Sequence, residues 1–178
     1  MAETDRPGIG QFNALPGPDA RALLESCLAV PRWVDAVADG RPYPDAAALL
    51  TAADLSATEL SVAEVDAALA RHPRIGERAG EGHDGEFSRR EQAGVAPDDA
   101  AARVELVAAN REYEALFGRV FLIRAAGRSA AEILAELRRR LRNEPADEIA
   151  EVAIQLREIA LLRLELLVGS DPGEAVAS

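Results

Sequence analysis

The sequence predicts an all-α fold, a single compact bundle of about seven to eight helices. Three observations predict it. Hydrophobic residues make up 48% of the chain but aromatic residues only 4%, so the core material is Ala, Leu, Val and Ile, of which Ala and Leu are strong helix formers. Apolar residues recur at three- and four-residue intervals, and the one strand-like run, Val120-Phe121-Leu122-Ile123, is too isolated to make a sheet. At 178 residues the chain is long enough to bury a core as one domain without staples.

Residues 1–11 are expected to form a disordered N-terminal tail, residues 12–168 the helical domain and residues 169–178 a flexible C-terminal tail. Asn13 or Asp19 is placed to cap a first helix through Ala20–Leu28, which Pro31 interrupts. Trp33, Val34 and Val37 continue an apolar face as far as Asp39-Gly40. After the stiff Arg41-Pro42-Tyr43-Pro44 connector, Asp45 starts a helix to about Ala53. Ser56 to Arg71 carries Leu60, Val65, Ala68 and Leu69 on one face and stops at Pro73.

A loop of about 15 residues follows, with glycines at 76, 80, 82 and 85, a length that compact domains keep for function or disorder. Ser88 begins a short helical turn. Asp98 and Asp99 then open a long helix with Leu106, Asn110, Tyr113 and Phe117 on one side, ended by Gly118. Ser129 and Glu132 have capping-box spacing for a helix to about Leu141, and Ala146–Val168 is the last helix.

Composition excludes several function classes. A net charge of −11 argues against nucleic-acid or anionic-membrane partners, which need a basic face. Every one of the 20 cationic residues is Arg, so Schiff-base lysine chemistry and a P-loop are ruled out. The basic run Arg138-Arg139-Arg140-Leu141-Arg142 is expected to be a solvated helix end that offsets the helix dipole. The lone Cys27 is expected to be a small buried hydrophobe. With no apolar leader and no apolar run of spanning length, a cytoplasmic location is expected. The two histidines have no ligand-spaced partners, so no metal site is expected.

Three places can carry chemistry. His72 ends a helix and opens His72-Pro73-Arg74-Ile75-Gly76. There it either answers the helix dipole as a structural imidazolium or moves protons near neutral pH. Ser88 and Glu91 have capping-box spacing, and the adjacent Gln92 adds a donor/acceptor amide suited to a heterocyclic imide or urea. Arg163 falls on the apolar stripe Ile149, Val152, Leu156, Ile159 of the last helix. It either snorkels from the stripe edge or points inward, where it needs a carboxylate or an anionic ligand.

Taken in order, these residues resemble the family of 2-oxo-4-hydroxy-4-carboxy-5-ureidoimidazoline (OHCU) decarboxylases. The resemblance spans about Phe12 to Val168. It lies in Trp33, Arg41-Pro42, His72-Pro73, Ser88-x-x-Glu91-Gln92, Asn110-x-x-Tyr113, Phe117-Gly118-x-x-Phe121 and Ile159-x-x-x-Arg163-Leu164. Two departures concern pocket shape. Arg74-Ile75 stands where many members have an acidic residue and leucine, and Arg119-Val120 replaces an apolar-Pro pair.

The resemblance implies a cofactor-free decarboxylation yielding (S)-allantoin in urate and purine catabolism. It implies His72 and Glu91 as the acid/base pair, Arg163 as the group that binds the anionic ureidoimidazoline substrate, and Ser88 and Gln92 on its polar edges. Pro73 shapes the wall, and backbone groups near Phe121 and Ile123 complete the pocket. A homodimer is also in keeping with the family, although no apolar stripe in the sequence demands one. Two other readings stay open on the residues alone: a non-catalytic helical ligand-binding or scaffolding domain, and a cyclic-ureide hydrolase with Glu91 activating water.

Overall fold

The computed structural model describes residues 8–72 and 100–169, which contain eight helices and no strand. These are α1 (Ile9–Ala14), α2 (Gly17–Cys27), α3 (Pro31–Asp39), α4 (Ala46–Ser56), α5 (Val62–Leu69), α6 (Ala100–Phe117), α7 (Ala130–Arg140) and α8 (Pro145–Val168). The all-α expectation holds. None of these helices is long and apolar enough to cross a membrane. The chain groups into two compact units. One holds α1 to α4 and the part of α8 from Arg157 onward; the other runs from Ser61 to Leu156.

In the first unit α2 packs on α3 and α3 on α4. Pro31 stands at the first helical position of α3, where its missing N–H costs nothing and its fixed φ suits the helix. Asp45 caps α4 by accepting the Ala48 N–H at 2.7 Å, as expected. Trp33 is fully buried and donates its indole N–H to the Ala53 carbonyl at 2.8 Å, which ties α3 to α4. Arg157 grips Asp54 through two bonds of 2.5 and 2.6 Å, and this holds the Asp54 carboxyl below its ordinary range. Cys27 is buried, as its helical setting predicted.

Three boundaries differ from the sequence expectation. The helical chain begins at Ile9, inside the expected tail, because Phe12 is fully buried and the Gly8 carbonyl accepts the Gln11 and Phe12 N–H groups. Neither Asn13 nor Asp19 caps α2, whose N-cap is Pro16 with no side-chain bond; Asn13 instead pairs with both backbone groups of Tyr43. α5 starts at Val62, six residues later than the expected Ser56, because Ser61 and Glu64 form a capping box that sets the start.

In the second unit α6 packs on α7 around Leu106, Tyr113, Phe121, Ile123, Ile133 and Leu137. Gly118 takes a φ of +66°, a left-handed conformation that suits glycine, and ends α6 as expected. Ser129 and Glu132 make the predicted capping box of α7. Between these helices, residues 119–125 are irregular yet largely buried, and Phe121, Leu122, Ile123 and Ala125 all belong to the core.

Candidate active site

His72 lies in the turn that follows α5. Its backbone N–H donates to the Leu69 carbonyl and its Nδ1 to the Ala68 carbonyl, both at 2.9 Å. The last carbonyls of a helix lack intrahelical partners, so a histidine one turn later is well placed to satisfy one. A carbonyl can only accept, so Nδ1 carries a proton and Nε2 is the basic nitrogen of the neutral ring. Nε2 is withdrawn from solvent. Nδ1 thus satisfies a helix-end carbonyl, and the same bond sets the tautomer in which Nε2 is the basic nitrogen.

Beside the end of α5 opens a cleft of about 370 Å³, lined by Asp66, Leu69, Ala70, Phe117, Gly118, Arg119 and Val120. Arg119 closes onto Asp66 with bonds of 2.5 and 3.2 Å, and that contact holds the Asp66 carboxyl below its ordinary range. The cleft therefore lies between the helix that delivers His72 and the segment that leads into Phe121 and Ile123.

Phe121 and Ile123 are buried in the core cluster. The Phe121 ring meets Tyr113 edge-on at 5.2 Å. Arg163, on the C-terminal half of α8, is 3% exposed and donates to the Ser26 carbonyl at 3.3 Å. That burial excludes the snorkelling alternative. His72, Phe121 and Ile123 belong to the second unit and Arg163 to the first. Pro73, Ser88, Glu91 and Gln92 lie outside the described residues. Among the described residues, no group of three His, Cys, Asp or Glu side chains is disposed to hold a metal ion.

One buried polar group was missed from sequence. Arg140, expected on a solvated face, is fully buried. Its Nε and Nη2 donate to Glu148 Oε1 at 2.8 and 2.5 Å, its Nη1 to the Leu122 carbonyl at 2.7 Å and its Nη2 to the Tyr113 hydroxyl at 3.3 Å. Tyr113 in turn donates to Glu148. Burial, first, and the Glu148 hydrogen bond push the Tyr113 hydroxyl far above its ordinary pKa, so it stays protonated. A signal was available: Arg140 lies three residues after Leu137 and seven after Ile133, on the apolar stripe of α7, and Glu148 lies four before Val152 on that of α8.

A family model described as OHCU decarboxylase matches residues 13–165. The chain belongs to the OHCU decarboxylase family. The matched span encloses every site residue expected from sequence. Within reach of that family membership, the chain is 28% identical over 155 residues to the uric acid degradation bifunctional protein TTL of Arabidopsis thaliana. The match takes in 85% of this chain and 48% of that protein, so the chain spans about half the length of its curated relative. Among solved structures, a crystal structure of an OHCU decarboxylase in the presence of (S)-allantoin superposes with a TM-score of 0.67 at 27% identity, over 81% of this chain and 95% of that one. A crystal structure of an (S)-allantoin synthase gives the same score at 15% identity, over 92% of this chain and 54% of that one, and bears on the fold alone.

Proposed function

We propose that this OHCU decarboxylase family member converts 2-oxo-4-hydroxy-4-carboxy-5-ureidoimidazoline to (S)-allantoin without a cofactor. The family match across residues 13–165 is the observation that carries the reading. Loss of CO2 breaks one C–C bond and leaves its electron pair on the substrate, where the conjugated imine and carbonyl system accepts it. A single proton must then arrive on one face of the ring to fix the chirality. The protein's task is to hold an anion, match its polar edges and deliver that proton.

In this reading Arg163 binds the substrate carboxylate, because a buried guanidinium is a strong anion partner in low dielectric. His72 and Glu91 move the protons, and the Nδ1 bond to Ala68 supports Nε2 as the working nitrogen. Ser88 and Gln92 take the ureide edges and Pro73 shapes the wall. With the Phe121 and Ile123 side chains committed to the core, the backbone at 121–123 is what that segment has to offer a ligand. A cytoplasmic location and a homodimer remain part of the proposal.

The test is to mix freshly generated urate oxidation product with the protein and follow (S)-allantoin by circular dichroism. A rate no faster than spontaneous decay would refute the function. His72→Asn should lower kcat by about a hundredfold or more, the usual scale of lost acid–base catalysis, with helicity unchanged. Near-normal turnover in that variant would remove His72 from the mechanism.

A further inference from the structure

We propose that Arg140 is a positioning residue for the substrate pocket: its buried network with Glu148 and Tyr113 fixes the backbone at residues 121–123 where that backbone meets the substrate. The proposal rests on the function proposed above and extends it to residues that do not themselves touch substrate.

The argument starts from cost. Arg140 and Glu148 are 0% and 2% exposed, and two charges taken from water that completely add little stability over apolar residues of the same volume. Stability alone therefore gives no reason for an ion pair here. A guanidinium can do something that no apolar side chain can, which is to donate in a fixed planar fork. Two arms of the fork are spent on Glu148, and the third, Nη1, donates to the Leu122 carbonyl in the middle of an irregular segment.

Every other contact holds that fork still. The second Glu148 oxygen accepts from Asn143 at 2.8 Å. Tyr113 donates to Glu148, and its ring lies 5.8 Å from the guanidinium carbon. The Phe121 ring lies nearer, at 4.8 Å, so Arg140 holds residue 121 by its face and residue 122 by its carbonyl. Two residues on, Gln155 of α8 accepts the Arg124 N–H at 2.8 Å. A segment with no helix or strand ladder of its own is thus held at two points by side chains from α7 and α8. Upstream, the same segment forms one wall of the cleft at Gly118, Arg119 and Val120.

Two variants test this. Arg140→Lys keeps a positive charge beside Glu148 but replaces the fork by a point donor. The double variant Arg140→Met, Glu148→Leu removes both charges while keeping apolar volume, a change that folded proteins commonly tolerate. Each is compared with the unaltered protein for kcat and KM and for amide hydrogen exchange across residues 119–125. The expected result is KM raised about tenfold with kcat within about threefold, the signature of lost ground-state binding. Exchange at Leu122 to Ala125 should quicken about tenfold while α3 keeps its protection.

A folded variant with normal KM and normal exchange would overturn the proposal, even if it melted at a lower temperature. Faster exchange with normal KM would overturn the substrate half of it. If the double variant does not fold, Arg140→Lys decides alone. If the unaltered protein fails to accelerate the decarboxylation, the proposed function falls by that result. Normal exchange in Arg140→Lys would then separately show that Arg140 does not fix the segment.

Discussion

Two irregular stretches are held in place by arginines, and they are held differently. In the first unit Arg41 secures the connector before α4: its Nη1 donates to the Phe12 and Leu15 carbonyls at 3.1 and 2.8 Å, and its Nε to the Ala38 carbonyl at 3.1 Å. In the second unit Arg140 secures residues 121 and 122 while bonding to a carboxylate, a hydroxyl and one carbonyl. The difference follows depth. Arg41 is half-buried and water still solvates part of its charge, so neutral carbonyls suffice. Arg140 is fully buried, and only a countercharge makes that tolerable. Arg41 at a boundary is a hydrogen-bond donor that happens to be charged; Arg140 in the core brings its own anion.

The largest expected effect comes from breaking the deep pair on one side only. Glu148→Ala leaves Arg140 buried without its carboxylate and should cost about 3–5 kcal/mol in urea unfolding. Arg41→Met, which leaves only carbonyls near solvent, should cost about 1–3 kcal/mol. Equal losses would break the argument from depth. Tyr113→Phe comes next, at about 1–2 kcal/mol, since it removes the hydroxyl's bonds to Glu148 and Arg140 and leaves the ion pair intact.

The smallest effect belongs to Asp66→Asn at the cleft, below about 1 kcal/mol because Asp66 is half-exposed. Its sign with pH is defined. The Arg119 contact lowers the Asp66 carboxyl in the folded state, so its contribution is complete above the unfolded value of about 4. It is lost as pH falls through the lowered folded value. Urea midpoints of the variant and the unaltered protein should therefore differ at neutral pH and converge in acid.

Much of the fold was legible because helices announce themselves by local chemistry. Asp45, Ser129 with Glu132, and Gly118 each set a helix end by a contact within a few residues, and each was foreseen. Of the misplaced ends, that of α2 was decided from a distance, while that of α5 was set by a capping box, Ser61 with Glu64, that lay unnoticed inside the expected helix. Asn13 had a cap's composition, but a partner 30 residues away, Tyr43, claimed its amide. The site divides the same way. Arg163 stood out because it interrupts an apolar stripe of isoleucine and leucine. Arg140 interrupts one equally, yet it lay inside a run of arginines and passed for surface. A charge among charges looks solvated until its countercharge is found, and Glu148 is eight residues away across a turn.

Trp33 has a use beyond packing. It is the chain's single tryptophan, fully buried in the first unit with its indole N–H on the Ala53 carbonyl. Its fluorescence therefore reports the surroundings of α3 and α4, whereas far-ultraviolet dichroism sums every helix. Coincident midpoints for the two signals mark one cooperative transition, and separated midpoints mark stepwise unfolding of the two units. The molecule carries an intrinsic optical reporter, and it sits in the first unit.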